Sequence, residues 1–222
     1  MYLLFGVLLL GSLSFAMGNA TAGTKAERGR WLGLTGSSVV TEGGNITNVN
    51  VTGATLTDRW AAFYGNVSGS INLTDLGGTY SVYAWTWNAS KGGSVCFSEG
   101  GSFGWAGSAA TLAASIDANW SLSGAADNAT NTFANAAGCG LNFTQKFVST
   151  SARVNHTGLS TFWTCAIQDA APASKNNFAF CTNITPNGLN WNGENSNYEI
   201  MVPTTPGIGT TETYYVYAQL GS

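Results

Sequence analysis

From Trp60 to Thr74 the chain alternates. Ala61, Phe63, Gly65, Val67, Gly69, Ile71 and Leu73 make one row that is small or apolar throughout, while Trp60, Ala62, Tyr64, Asn66, Ser68, Ser70, Asn72 and Thr74 make a second, mostly polar row. Successive side chains of a strand point to opposite faces. A period of two therefore predicts a strand with one buried and one wet face, bent or bulged near Gly65 or Gly69. Runs rich in β-branched and aromatic residues, punctuated by Gly, Asn and Pro, predict further strands at residues 31–40, 45–52, 79–87, 94–98, 142–150, 159–168, 178–185, 198–203 and 212–220. Between residues 108 and 136 the texture changes. Alanine-rich stretches there hold Leu112, Ile116 and Trp120 at four-residue spacing behind Ser108, a residue suited to an N-cap, and predict a small helical insertion. The expected fold is mainly β, an antiparallel β-sandwich with that insertion at about residues 108–136.

The N-terminus follows a different pattern. YLLFGVLLLGSLSFA is an uninterrupted apolar run followed by small residues, and residues 1–18 read as a secretory signal peptide. An uncleaved anchor is the alternative, although the run is short against the ~20 residues of a spanning helix. No later stretch is apolar enough to span a membrane. Residues 19–42 read as a polar leader that ends in a possible donor strand, and residues 43–222 as one sandwich domain. Cys96, Cys139, Cys165 and Cys181 are an even number in an exported chain, without a Cys-x-x-Cys pair, and two disulfides are expected. Of the three possible pairings, the shortest loops favour Cys96 with Cys139 and Cys165 with Cys181.

Composition alters the expected surface. Charged residues are only 9% of the chain, against about 25% in ordinary globular domains, yet the hydrophobic fraction of 44% is ordinary. Asn, Thr and Ser must cover the outside. The net charge of −3 offers no basic field for nucleic acid. Asn-x-Ser/Thr triplets occur at Asn19, Asn45, Asn50, Asn66, Asn72, Asn88, Asn119, Asn128, Asn142, Asn155 and Asn183, whereas a random arrangement of the same residues gives about four. Asn66 and Asn72 both fall on the wet row. The ten sites from Asn45 onward are expected to carry N-glycans.

Catalytic parts are scarce. His156 is the only histidine and lies inside the triplet Asn155-His156-Thr157, which reads as a surface position. It excludes a multi-histidine metal site and leaves little for a Ser-His-Asp arrangement. Glycoside hydrolysis needs two carboxylates, for which Glu194 with Glu199, or Asp117 with Asp127, are the candidates; each of the two aspartates also reads as a solvated or helix-start residue. No metal, no cofactor and no enzymatic activity are expected. Tyr83, Trp85, Trp87, Trp163 and Trp191 could form a sugar-stacking platform, with core packing as the competing role.

The segments RWAAFYGNVSGSINL, VYAWTW, DNATNTF, YEIMVP and YYVYAQL, within residues 58–220, resemble the β-rich domain of secreted, N-glycosylated archaeal surface and extracellular-filament proteins. The shared motifs are structural, so the resemblance implies fold and location. The expectation is a structural subunit of a glycosylated cell-surface assembly, an extracellular filament or a surface coat, self-associating through Trp31, Leu32, Leu34, Val39 and Val40 of the leader. An adhesin or carbohydrate-binding module is the alternative, and a glycoside hydrolase the third.

Overall fold

The computed structural model describes residues 57–143, 146–169, 174–205 and 212–221. The signal segment, the leader with Trp31, Leu32, Leu34, Val39 and Val40, the two first strands, and Asn19, Asn45 and Asn50 lie outside the described residues. In chain order the elements are β1 (Trp60–Gly65), β2 (Gly69–Thr74), β3 (Ser81–Trp87), β4 (Gly93–Ser98), β5 (Ala109–Ala110), α1 (Ala113–Trp120) and α2 (Ala129–Thr132). They continue with β6 (Ala134–Phe143), β7 (Lys146–Asn155), β8 (Trp163–Gln168), β9 (Phe178–Asn183), β10 (Gly188–Leu189), β11 (Asn195–Ser196), β12 (Tyr198–Pro203) and β13 (Tyr215–Leu220). The fold is mainly β and its strand pairs are antiparallel, as the alternation predicts.

The main sheet runs β13-β4-β9-β8-β7-β6, with β5 also paired to β8. Strand parity divides its side chains between two cores. Val95, Phe97, Ala166, Phe178 and Phe180 point to one face and pack on Trp87, on Ile116 and Trp120 of α1, and on Ile200 and Val202 of β12. Cys96, Cys165, Ile167, Ala179 and Cys181 point to the other and meet Phe103, Leu141 and Phe143. A two-stranded ribbon of β1 and β12 forms the second layer on the first face.

The strand expected at residues 61–74 is two strands in different sheets. β1 pairs with β12, whereas among the described residues β2 pairs only with β3, in a separate hairpin. Within the hairpin Leu73, Tyr80, Val82 and Tyr83 are all exposed. The break falls between Gly65 and Gly69, where the bend is expected.

The helical insertion is smaller than residues 108–136. Ser108 does not cap α1; its hydroxyl donates to the Trp105 carbonyl at 2.8 Å and closes a turn before β5. The α1 N-terminus takes its capping oxygen from a distant residue instead, Ala113 N–H donating to Asn135 Oδ1 at 2.9 Å. Leu112 is exposed, and the buried stripe of α1 is Ala113, Ile116, Asp117 and Trp120. Residues 134–136 already belong to β6, and the strand expected at residues 142–150 takes in the end of β6 and the start of β7.

The disulfides are Cys96–Cys181 and Cys139–Cys165, so the shortest-loop pairing is corrected. Sheet order is the reason. β9 lies between β4 and β8, and Cys181 is in register with both Cys96 and Cys165. Its bond to Cys96 leaves Cys165 for Cys139. Strands two apart in a flat sheet are separated by about 9–10 Å. The Cα atoms of Cys139 and Cys165 are 6.0 Å apart, so β6 curls over the sheet face. Its bulges, at Ala136 (φ 53°) and Gly140 (φ 58°), coincide with the two register breaks against β7.

Candidate functional site

β7 ends at Asn155, which is exposed, so the next side chain turns inward. That residue is His156. Its side chain is 8% exposed, and Nδ1 lies 2.6 Å from Oε1 of Glu199, whose side chain is 3% exposed. Nε2 lies 2.9 Å from Oγ1 of Thr164, a wholly buried residue of β8. The reading of His156 as a surface residue is thereby corrected.

The surrounding donors assign the protons. Met201 N–H donates to Thr164 Oγ1 at 2.9 Å, which frees the Thr164 hydroxyl proton for His156 Nε2. The ring proton then sits on Nδ1 and is donated to Glu199 Oε1. Trp191 N–H donates to Glu199 Oε2 at 2.6 Å and completes the network. Burial pushes the His156 pKa below its ordinary value, against the opposing pull of Glu199.

Glu199 and His156 lie at one side of a cavity of about 300 Å³. Its apolar wall comes from Ala62, Val154 and Met201, and Asn155, Thr157 and Trp191 also line it. Trp191 is 58% exposed. Gly158, at φ +75°, lets the turn after β7 approach the Trp191 carbonyl; an added Cβ would sit 3.0 Å from that oxygen.

Thr164, His156 and Glu199 stand in the order of a nucleophile, base and orienting acid. The chemistry does not follow. A nucleophile needs an open approach to its substrate, whereas Thr164 Oγ1 is enclosed in the core and already accepts one backbone N–H. The trio can hold and orient a proton.

The other acids named from the sequence are placed apart from this network. Asp117 is buried and accepts from Ala129 N–H at 2.6 Å, Thr130 N–H at 3.0 Å and the Thr130 hydroxyl at 2.5 Å, tying α1 to the start of α2. Its reading as a solvated residue is corrected. Asp127 pairs with Arg59 at 3.3 Å. Glu194 is exposed in the turn after Trp191.

The expected aromatic platform is not assembled. Trp87 is core, Trp85 packs against that core, and Trp163 lies under the Arg153 guanidinium at 4.8 Å. Tyr83 stays exposed on the separate hairpin. Among the described sequon asparagines, Asn66, Asn72, Asn88, Asn142 and Asn155 are exposed, and Asn119, Asn128 and Asn183 are half-buried.

A second polar cluster borders the α1 core. Trp120 Nε1–H donates to Glu99 Oε1 at 3.1 Å, and Lys175 contacts Glu212 and lies 5.5 Å from the Trp120 ring centroid. Burial, with Glu212 as the next cause, raises the Glu99 pKa despite Lys175. No group of three or more His, Cys, Asp or Glu among the described residues could hold a metal ion. Among the same residues no helix is long and apolar enough to cross a membrane. Comparison with protein-family models, curated proteins and solved structures finds no match.

Proposed function

We propose that the protein is a structural, non-enzymatic subunit of a glycosylated extracellular filament, joined to its neighbours by strand donation. The observation that carries this reading is the β2–β3 hairpin. It pairs with no other strand among the described residues and exposes Leu73, Tyr80, Val82 and Tyr83. A hairpin of two strands is marginally stable in water, and a third strand with apolar contacts relieves that. Its open edge is a template for another chain.

The occupant is residues 31–40 of a second copy. WLGLTGSSVV has the β-branched and apolar content of a strand and is joined to residue 57 by the sixteen residues 41–56, enough chain to cross to a neighbour. Head-to-tail contacts of this kind build a fibre when the rotation from copy to copy does not close a ring. Two disulfides, the run of eleven sequons and the resemblance of residues 58–220 to archaeal surface proteins support an extracellular place for it.

Deleting residues 19–42 tests the reading. A folded, disulfide-bonded monomer that no longer polymerises supports it, and polymers from the truncated chain sink it. Because the truncation could also impair folding, Val82→Asp provides a second arm: it changes an exposed position, so the monomer should keep its stability within about 0.5 kcal/mol while fibres disappear from negative-stain images. Unaltered fibres from Val82→Asp would remove the hairpin from the contact.

A further inference from the structure

We propose that residues 45–52 of the same chain add to the open edge of β1 as a third strand, antiparallel to it, and complete the β1–β12 ribbon. This contact is separate from the strand donation above, which uses residues 31–40 and the β2–β3 hairpin.

β1 has an edge to offer. Among the described residues it pairs with β12 alone, in an antiparallel ladder from Trp60 opposite Pro203 to Gly65 opposite Tyr198. Thr204 N–H donates to the Arg59 carbonyl at 2.7 Å, one step before that ladder. Bonded and non-bonded pairs alternate along an antiparallel ladder. Ala61, Phe63 and Gly65 therefore bond to β12, whereas Trp60, Ala62 and Tyr64 turn their N–H and C=O groups away from it. Met201, opposite Ala62, fits the alternation, since its N–H leaves the ladder for Thr164 Oγ1. Ala62, Phe63 and Tyr64 are exposed, and WAAFYG contains no charge, no proline and no register break. Free edges are ordinarily blunted by such devices, and β1 carries none of them.

The place where the described chain begins selects the occupant. Arg59 pairs with Asp127 at 3.3 Å, Trp60 Nε1–H donates to the Asp127 carbonyl at 2.6 Å, and the Thr204 hydroxyl donates to the Asp58 carbonyl at 2.8 Å. The backbone is thus fastened at the Trp60 end of β1. Seven residues, 53–59, separate residue 52 from Trp60, and Gly53 is among them. So short a link returns the chain along β1 in the antiparallel sense, because a parallel neighbour needs a crossover of a dozen or more residues.

The segment itself suits the edge. Five of the eight residues of NITNVNVT are β-branched and none is charged. Thr47, Val49 and Val51 share one parity; Asn48, Asn50 and Thr52 share the other. Phe63 stacks on Phe97 at 5.1 Å yet stays 37% exposed, so the valine row covers the Phe63 face and the asparagine row takes the opposite one. Residues 41–44, with Gly43 and Gly44, then join this strand to residues 31–40 and leave the leader available to a second copy.

Hydrogen exchange resolved to single amides tests this on the intact, disulfide-bonded chain. The Ala62 and Tyr64 amides should exchange on the order of a hundredfold slower than unstructured amides, at a rate independent of protein concentration. Deleting residues 19–42 should leave both slow. Deleting residues 19–52, or replacing Val49→Pro in the full chain, should make both fast. Phe63, bonded to β12, should stay protected throughout and so reports that each variant is folded. Fast exchange at Ala62 and Tyr64 in the wild-type chain overturns the proposal without recourse to any variant. Slow exchange that survives the loss of residues 19–52 overturns it as well. Protection lost with residues 19–42 alone would give the edge to the leader, and protection lost on dilution would give it to a second copy; either result rules out the third strand proposed here.

Discussion

Glu199 Oε1 lies 2.6 Å from His156 Nδ1, and neither side chain is more than a tenth exposed. The contact joins the end of β7 to β12, and the second oxygen of Glu199 reaches on to the backbone of Trp191. Removing one partner of such a pair leaves the other buried and unsatisfied. His156→Ala, which leaves the buried Glu199 carboxylate without its ring partner, is expected to cost about 3–5 kcal/mol in urea unfolding, and Glu199→Ala, which leaves a neutral imidazole unpaired, about 1–3 kcal/mol. The double variant should cost less than the two losses added together, because each single variant already breaks the same contact. Additive losses would mean that the two side chains act independently.

Stability should also depend on pH through His156. Its folded-state pKa lies below the 6.5 of the unfolded chain because burial disfavours the imidazolium. Between those two values the unfolded chain binds more protons, so stability rises with pH. The contribution is complete above pH 6.5 and is lost as the pH falls below it. His156→Gln should flatten the unfolding midpoint across that window. An unchanged slope in the variant would assign the effect to another group.

Glu99 carries the opposite sign. Burial and Glu212 hold its pKa above the 4.5 of an unperturbed glutamate, so between 4.5 and the raised value the folded chain binds more protons. Its contribution to stability is fully present below pH 4.5 and is lost as pH rises through the raised value. Glu99→Gln keeps an oxygen for Trp120 Nε1–H and removes the charge. It should raise Tm at pH 7 and leave it unaltered at pH 4. A lower Tm at pH 7 would show that Lys175 needs the Glu99 charge.

Non-reducing peptide mapping should recover Cys96 with Cys181 and Cys139 with Cys165. Breaking either is expected to cost about 2–5 kcal/mol. The two spans, 85 and 26 residues, make the Cys96–Cys181 bond the more stabilising by about 1 kcal/mol in a chain-entropy account. Equal losses on paired Cys→Ala replacement would place the stabilisation in local packing.

The strands themselves were legible, but the buried row expected from Ala61 to Leu73 was not kept, since Phe63 and Leu73 are exposed. The apolar runs at β4, β8, β9 and β12 and the aromatic strand β3 fall where their patterns put them. β6 was not legible, because Ala, Asn and Gly carry little β preference and two bulges interrupt its period; only Cys139, Leu141 and Phe143 keep the alternation. The Asp117 cap and the disulfide pairing depend on which distant elements become neighbours, which local periodicity does not encode. The His156 site had a signal. An outward Asn155 implies an inward His156, and Glu199 is the only charged residue in the run YEIMVP. What the pattern lacked was the partner, since β7 and β12 meet only through the fold.

The two disulfides are nested: the loop closed by Cys139 and Cys165 lies wholly inside the one closed by Cys96 and Cys181. Neither loop has to thread the other, so oxidation can proceed in either order without a topological trap. Ring closure slows with roughly the three-halves power of loop length, which makes the inner ring close about six times faster in an unstructured chain. The first covalent landmark of an unfolded, oxidising chain is therefore the loop that ties β6 to β8. The outer bond then ties β4, supplied from far upstream, to β9.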